Sequence, residues 1–196
     1  LIILIMRYIT LIILFLITSN SLSQEKVSLG IFQDARLMFL GDHRGNGPGT
    51  MDVILRFKVE GKQNKIGYFV YFFNYEQANL ASTFKRYSLS AGYTFNTINL
   101  RNDFLNRFEF TPIVGYGILQ RDRSNSVDRY YNWSFGEETA FRVSPFMKIS
   151  FLTQLMQRSD LKRKKTNNRR VGRFSWFIGT VFNLVNLGAE KSSYYF

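Results

Sequence analysis

Beyond residue 25 the chain places apolar side chains at every second position, in stretches separated by polar clusters. A period of two sorts side chains onto the two faces of a strand. Residues 26–40 carry Val27, Leu29, Ile31, Ala35, Leu37 and Phe39 on one face and Ser28, Gly30, Asp34 and Arg36 on the other. Residues 50–60 set Met51, Val53, Leu55, Phe57 and Val59 against Asp52, Ile54, Arg56 and Lys58. Residues 65–76 are apolar on both faces. Residues 84–96 set Tyr87, Leu89, Ala91, Tyr93 and Phe95 against Arg86, Ser88, Ser90, Gly92 and Thr94. Segments 104–120, 130–143, 148–158 and 170–184 continue the pattern, which makes eight strands. Eight is the smallest common count for a closed barrel.

The apolar face decides what surrounds such a barrel. In lipid every strand must have two neighbours, because an unpaired backbone group there costs several kcal/mol. The apolar face then looks outward, and a polar inner face is tolerated where its charges pair. Asp52, Arg56, Lys58, Arg86, Arg107, Glu109, Glu138 and Arg142 are the expected interior charges, and both signs are present. Tyr68, Tyr75, Tyr87, Tyr130, Tyr131, Trp133 and Trp176 stand near strand ends, where aromatic girdles form. The fold class expected is therefore all-β, an eight-stranded antiparallel up-and-down transmembrane β-barrel. A soluble, lipocalin-like barrel with an apolar, ligand-binding interior is the alternative.

Some positions strain this reading. Gln33 falls on the apolar face, and Glu137 and Glu138 are adjacent, so one must point outward unless a bulge resets the phase. A bulge is expected there. Short turns near Gly61 and Ser144 and one near Thr97 are expected at the periplasmic end. Longer loops near Gly41, Asn79, Asp122 and Lys162 are expected at the surface, with residues 121–129 a charged loop.

The N-terminus supplies an address. Met6 reads as the start and Arg7 as a short basic region; an apolar run from Ile9 to Ile17 follows, broken only by Thr10. Ser21-Leu22-Ser23 has the small residues of a signal-peptidase site. The run falls short of the roughly 20 residues a spanning helix needs. The domains expected are a cleaved signal peptide at 1–23, a barrel at 24–184 and a tail at 185–196, for a protein exported to a bacterial outer membrane.

Composition narrows the chemistry. The 196 residues hold no cysteine and one histidine, which excludes disulfides, thiolate zinc sites and multi-histidine metal sites. No cofactor and no metal are expected. The net charge is +12. With an export signal present, the polyanions in question are lipid and lipopolysaccharide phosphates rather than nucleic acid. Lys162, Arg163, Lys164, Lys165, Arg169 and Arg170 are the candidate polyanion-binding loop.

The segment Phe177-Ile178-Gly179-Thr180-Val181-Phe182-Asn183-Leu184 resembles the final-strand signal of outer-membrane barrels, with Gly179, Phe182 and Leu184 at the signal positions. It departs from that pattern in having Phe177 where a polar residue is usual, and in the twelve residues that follow Leu184. The resemblance implies recognition by the barrel-assembly machinery. Residues 136–145, together with the pairs Gly67-Tyr68, Gly92-Tyr93 and Gly115-Tyr116, resemble OmpA- and OmpX-like barrels. The signal peptide, ending Ser-Leu-Ser-Gln, is similar to those of Bacteroidota. Ser90-Ala91-Gly92-Tyr93-Thr94-Phe95 and Val114-Gly115-Tyr116-Gly117 resemble the TraO family of conjugative-transposon outer-membrane proteins. These likenesses imply a structural or surface-interaction role in a monomer; no catalytic motif is evident in the sequence, and eight strands leave a lumen mostly filled by side chains. Some barrels of this size are lipid A acyltransferases, and His43 with Asp42, Asp122 and Ser124 is the only candidate set for that chemistry.

Overall fold

The computed structural model describes residues 26–41, 46–64, 66–80, 83–96, 104–123, 126–158 and 172–186. Eight strands run through them: β1 Lys26–Asp34, β2 Asp52–Glu60, β3 Gly67–Ala78, β4 Phe84–Asn96, β5 Phe108–Arg123, β6 Ser126–Arg142, β7 Met147–Gln157 and β8 Gly172–Asn186. Each pairs antiparallel with its chain neighbours, and β1 also pairs with β8. The sheet is thus closed, and the chain is an all-β, eight-stranded antiparallel up-and-down barrel with the amphipathicity of a transmembrane one. No helix of the described residues is long and apolar enough to cross a membrane.

Burial follows the alternation. On β2 the residues Asp52, Ile54, Arg56, Lys58 and Glu60 are buried while Leu55 and Phe57 are exposed. On β7 Lys148, Ser150, Leu152, Gln154 and Met156 are buried while Ile149, Phe151 and Leu155 are exposed. The outside is an apolar belt, and the inside is charged. Aromatic pairs line that belt toward both ends. Tyr75–Tyr87 and Tyr116–Trp133 stand nearer one end, Phe95–Phe110 and Phe108–Phe141 nearer the other.

Several expectations need correction. β1 ends at Asp34, and Ala35–Phe39 forms a short helix, α1. The alternation of Ala35, Leu37 and Phe39 continues the strand pattern on paper, but Ala, Arg, Leu and Met are strong helix formers. Asp34 Oδ1 caps the turn by accepting from Leu37 N at 3.1 Å. Gly41 then closes it at φ 74, a backbone conformation suited to glycine. Leu37 consequently turns inward and is fully buried.

The charged loop expected at 121–129 is mostly sheet. β5 and β6 extend through Arg121↔Asp128 and Arg123↔Ser126, so one pair of opposite charges, Arg121 and Asp128, takes facing register positions, and the connection spans only 124–125. The expected division into short and long ends is therefore incomplete. The connections spanning 35–51 and 158–171 do open at the same end. No bulge resets Glu137 and Glu138, since β6 keeps its register with both β5 and β7. Glu138 points in and Glu137 points out. The register shift falls between Val27 and Ser28 in the β1–β8 pairing. Arg107 lies in the 3-10 turn Leu105–Arg107 and is exposed, so it is no interior charge. Tyr68 is buried in the lumen, and Tyr130 packs against an interior cluster; neither belongs to a girdle. Gln33 keeps its outward position and donates to Thr50 O at 3.1 Å. β8 continues to Asn186, two residues past the boundary expected at Leu184.

At the closing seam, Gly179 pairs with Phe32, whose ring lies over it. A Cβ at Gly179 would stand 2.3 Å from Ile31 O and 2.6 Å from the Phe32 ring. Gly179, expected from sequence as part of an assembly signal with Phe182 and Leu184, therefore also has a packing task. Gly179→Ala is expected to lower the stability of purified barrel refolded in lipid by about 1–3 kcal/mol, the usual cost of overpacking. Urea unfolding without any assembly machinery checks this. Unchanged stability there would leave Gly179 with a signalling role only.

Candidate functional site

The strands direct a concentrated set of charged side chains into the lumen. Asp34, Asp52, Glu60, Glu76, Glu109 and Glu138 are buried, and so are Arg56, Lys58, Arg86, Arg121, Lys148, Arg158 and Arg173. Among the described residues, six buried acids stand against seven buried bases, so these charges nearly cancel. The interior charges form three levels along the barrel axis.

At the α1 end, Arg173 on β8 is the hub. Its guanidinium pairs with Asp34 at 3.4 Å, with Glu76 at 3.4 Å and most closely with Asp52. Arg86 reaches Glu76 at 3.6 Å, donates from Nε to Asn132 at 3.0 Å and from a terminal nitrogen to Ser134 at 2.7 Å. The Arg158 and Arg173 guanidinium groups lie 4.6 and 5.5 Å from the Phe84 ring centroid.

At mid-height, Arg56 on β2 and Glu138 on β6 meet across the barrel at 2.5 Å. These strands are diametrically opposed. Arg56 Nε also donates to Asn74 at 2.7 Å, and its guanidinium lies between the Phe32 and Phe72 rings, 5.1 and 4.7 Å from their centroids. Ser150 donates to the other oxygen of Glu138 at 3.2 Å.

At the far end, Lys58, Glu60, Lys148, Glu109 and Arg142 form a chain of contacts. Lys58–Glu60 is 3.0 Å, Lys148–Glu60 3.3 Å, Lys148–Glu109 2.7 Å and Arg142–Glu109 2.8 Å. The Tyr68 hydroxyl donates to Glu109 at 3.3 Å. Arg142 is half-buried, at the rim. An apolar cluster of Phe32, Ile54, Tyr68, Val70, Phe72, Ile113, Leu152, Phe177 and Val181 fills the space around the mid-level pair. Phe177, the departure from the usual final-strand pattern, is part of this filling and fully buried.

Of the expected interior charges, Asp52, Arg56, Lys58, Arg86, Glu109 and Glu138 are buried together, Arg142 joins at the rim, and Arg107 does not join. Sequence reasoning missed Glu60, Glu76, Tyr68, Lys148 and Arg173, and left Asp34 out of the network. Each stands near a strand end, where it looked like a turn or girdle residue. Parity would have found them: Glu60 shares a face with Arg56 and Lys58, and Glu76 shares one with Phe72 and Asn74.

The candidate polyanion loop, Lys162, Arg163, Lys164, Lys165, Arg169 and Arg170, lies outside the described residues, as do Asp42, His43 and Ser124. Asp122 is on β5 opposite Val127. Among the described residues no cluster of three or more His, Cys, Asp or Glu could hold a metal ion. The cation among Asp34, Asp52 and Glu76 is the Arg173 guanidinium itself.

No protein-family model matches the chain, and no curated protein does. Among solved structures it is similar to Ail, the attachment invasion locus protein of Yersinia pestis, at 15% identity and a TM-score of 0.47, covering 83% of this chain and 99% of that one. It is also similar to Neisserial surface protein A, at 12% identity and 0.45, covering 81% and 92%. The N-terminal β-barrel domain of Pseudomonas aeruginosa OprF matches at 11% identity and 0.49, covering 83% and 99%. The fold assignment itself rests on the strand pairing described above.

Breaking a buried pair strands a charge, whereas replacing both partners does not. Glu138→Ala is expected to destabilise the barrel by about 3–5 kcal/mol, and Arg56→Met with Glu138→Leu by much less. Urea unfolding of the two variants in lipid makes the comparison. Equal losses would show that the pair contributes through volume alone.

Proposed function

We propose that the chain is a bacterial outer-membrane barrel that conducts nothing through its lumen and works through its outer surfaces, as a structural or surface-interaction protein. The observation that carries this is the inside-out distribution: a belt of exposed apolar side chains around a closed wall, and a lumen packed with paired charges. In water such an exterior would expose far more apolar surface than a soluble protein tolerates. In lipid it is the expected arrangement. The interior also argues against the lipocalin-like alternative, since an apolar ligand would meet Arg56, Glu138, Arg86 and Asn132 rather than an apolar cavity.

The near-neutral lumen directs the polyanion reading to the connections. Residues 162–170 join β7 to β8, at the end where α1 sits. Lys162, Arg163, Lys164, Lys165, Arg169 and Arg170 are the proposed contacts for lipopolysaccharide phosphates, held by charge-assisted hydrogen bonds. Outer-membrane lipid and the barrel-assembly machinery are the other proposed partners. One observation favours a second reading, a component of a conjugative transfer apparatus: the two TraO-like segments are register partners, with Ser90↔Gly115 and Ala91↔Val114. Loss of conjugation on deleting the gene would support that reading.

In planar bilayers the refolded protein is expected to give no steady channel conductance, while on gels it shows the heat-modifiable mobility of a folded barrel. A stable open level would overturn the sealed-lumen reading. Replacing all six basic residues of 162–170 by Gln is expected to weaken retention on immobilised lipopolysaccharide at least severalfold and to flatten its salt dependence. Retention equal to the parent chain would remove the loop from the proposal.

A further inference from the structure

Glu137 stands on the wrong side of the wall. It faces outward from β6, four residues from Trp133 toward one end and four from Phe141 toward the other, both on the same face. That places a carboxylate at the middle of the apolar belt. Its described partner is the Thr139 hydroxyl, which donates to Oε1 at 3.3 Å on the same strand. No cation among the described residues pairs with it. An ionisable group facing lipid is costly, and one that is kept calls for a partner.

The surroundings are built for contact. Glu137 pairs in register with Pro112 on β5 and Thr153 on β7, so short side chains flank it on both sides. Larger ones ring this patch: Phe135 and Leu155 toward one end, Phe110 and Phe151 toward the other. Pro112 also has no backbone N–H to give. The β4–β5 pairing is interrupted between Gly92↔Ile113 and Phe95↔Phe110, where Pro112 sits. Proline inside a closed sheet is disfavoured by the ladder, so nothing in the wall's own hydrogen bonding asks for it.

We infer that the β5–β7 wall around Glu137 is an interface with a second copy of this chain within the membrane. The patch carries an acceptor and a donor side by side, the Glu137 carboxyl and the Thr153 hydroxyl. Two copies inserted in the same sense are related by a two-fold axis along the membrane normal. An axis between β6 and β7 brings each Glu137 to the other copy's Thr153, and the contact occurs twice, as an isologous interface requires. Short residues let the walls approach closely, which with hydrogen bonding is what drives association in lipid. The inference departs from the monomer expected from sequence and rests on the membrane reading above.

The chain has no cysteine, so Gln63→Cys in the exposed β2–β3 connection takes a single donor or acceptor dye. Labelled full-length chains refolded in phosphatidylcholine vesicles are expected to show energy transfer well above random proximity as lipid is diluted in. Glu137→Leu with Thr153→Val is expected to weaken association about tenfold, Glu137→Gln to retain it, and Phe57→Leu on the opposite wall to leave it unchanged. Heat-modifiable mobility reports that each variant is folded. Folded parent chains at the random-proximity level, or a double variant that associates like the parent, would overturn the interface while leaving the membrane reading intact. Failure of the parent chain to insert at all would overturn both.

Discussion

Everything in this molecule follows from closing the sheet. Once β1 pairs with β8, no strand has a free edge, and each strand can pair its backbone with a neighbour on both sides. Closure also removes choice. Each side chain must point to the lumen or to the outside, and a one-residue slip would exchange the two sets along a whole strand. Register is therefore held by side chains as much as by the ladder. The Phe32 ring over Gly179 holds the closing seam in this way.

The lumen meets a second demand, that charges removed from water be paired. The three levels accomplish this by joining strands that do not touch through the sheet. The Arg173 cluster draws residues from β8, β1, β2 and β3, and Arg86 adds β4. The Lys58–Glu60–Lys148–Glu109–Arg142 chain links β2, β5, β6 and β7, and Arg56–Glu138 crosses the diameter. Such pairs are weak sources of net stability. They do oppose a change of register, because moving one partner would leave several charges buried alone. The charge pattern thus specifies the closed shape more than it strengthens it.

Much of this was legible from period-two alternation. Burial on β2 and β4 follows the two faces read from the sequence, and so does the placement of Arg56, Arg86 and Glu138 in one interior. Alternation failed where a second local signal competed with it. At residues 35–39 helix-forming residues behind an aspartate cap overrode an apparently continuing strand. At 121–129 a dense run of charges resembles a loop, yet it is hairpin sheet in which Arg121 pairs in register with Asp128. At strand ends Glu60, Glu76 and Arg173 resembled turn residues because a strand's length is set by its neighbours, which one chain segment does not reveal. Glu137 is a different case. Its outward position was avoided by expecting a bulge, on the assumption that the outer face meets only lipid.

That assumption bears on where function can reside. Among the described residues, paired charges and aromatic rings fill much of the lumen. On the reading proposed above, the protein meets its contacts at its ends or along its wall. The wall carries an apolar belt in which a mid-height carboxylate, a proline and two threonines occur together on β5, β6 and β7. In a purely lipid-facing surface the carboxylate would be costly and the proline would weaken the ladder without compensation. Gathered at one place, they are better explained by a surface whose neighbour is protein.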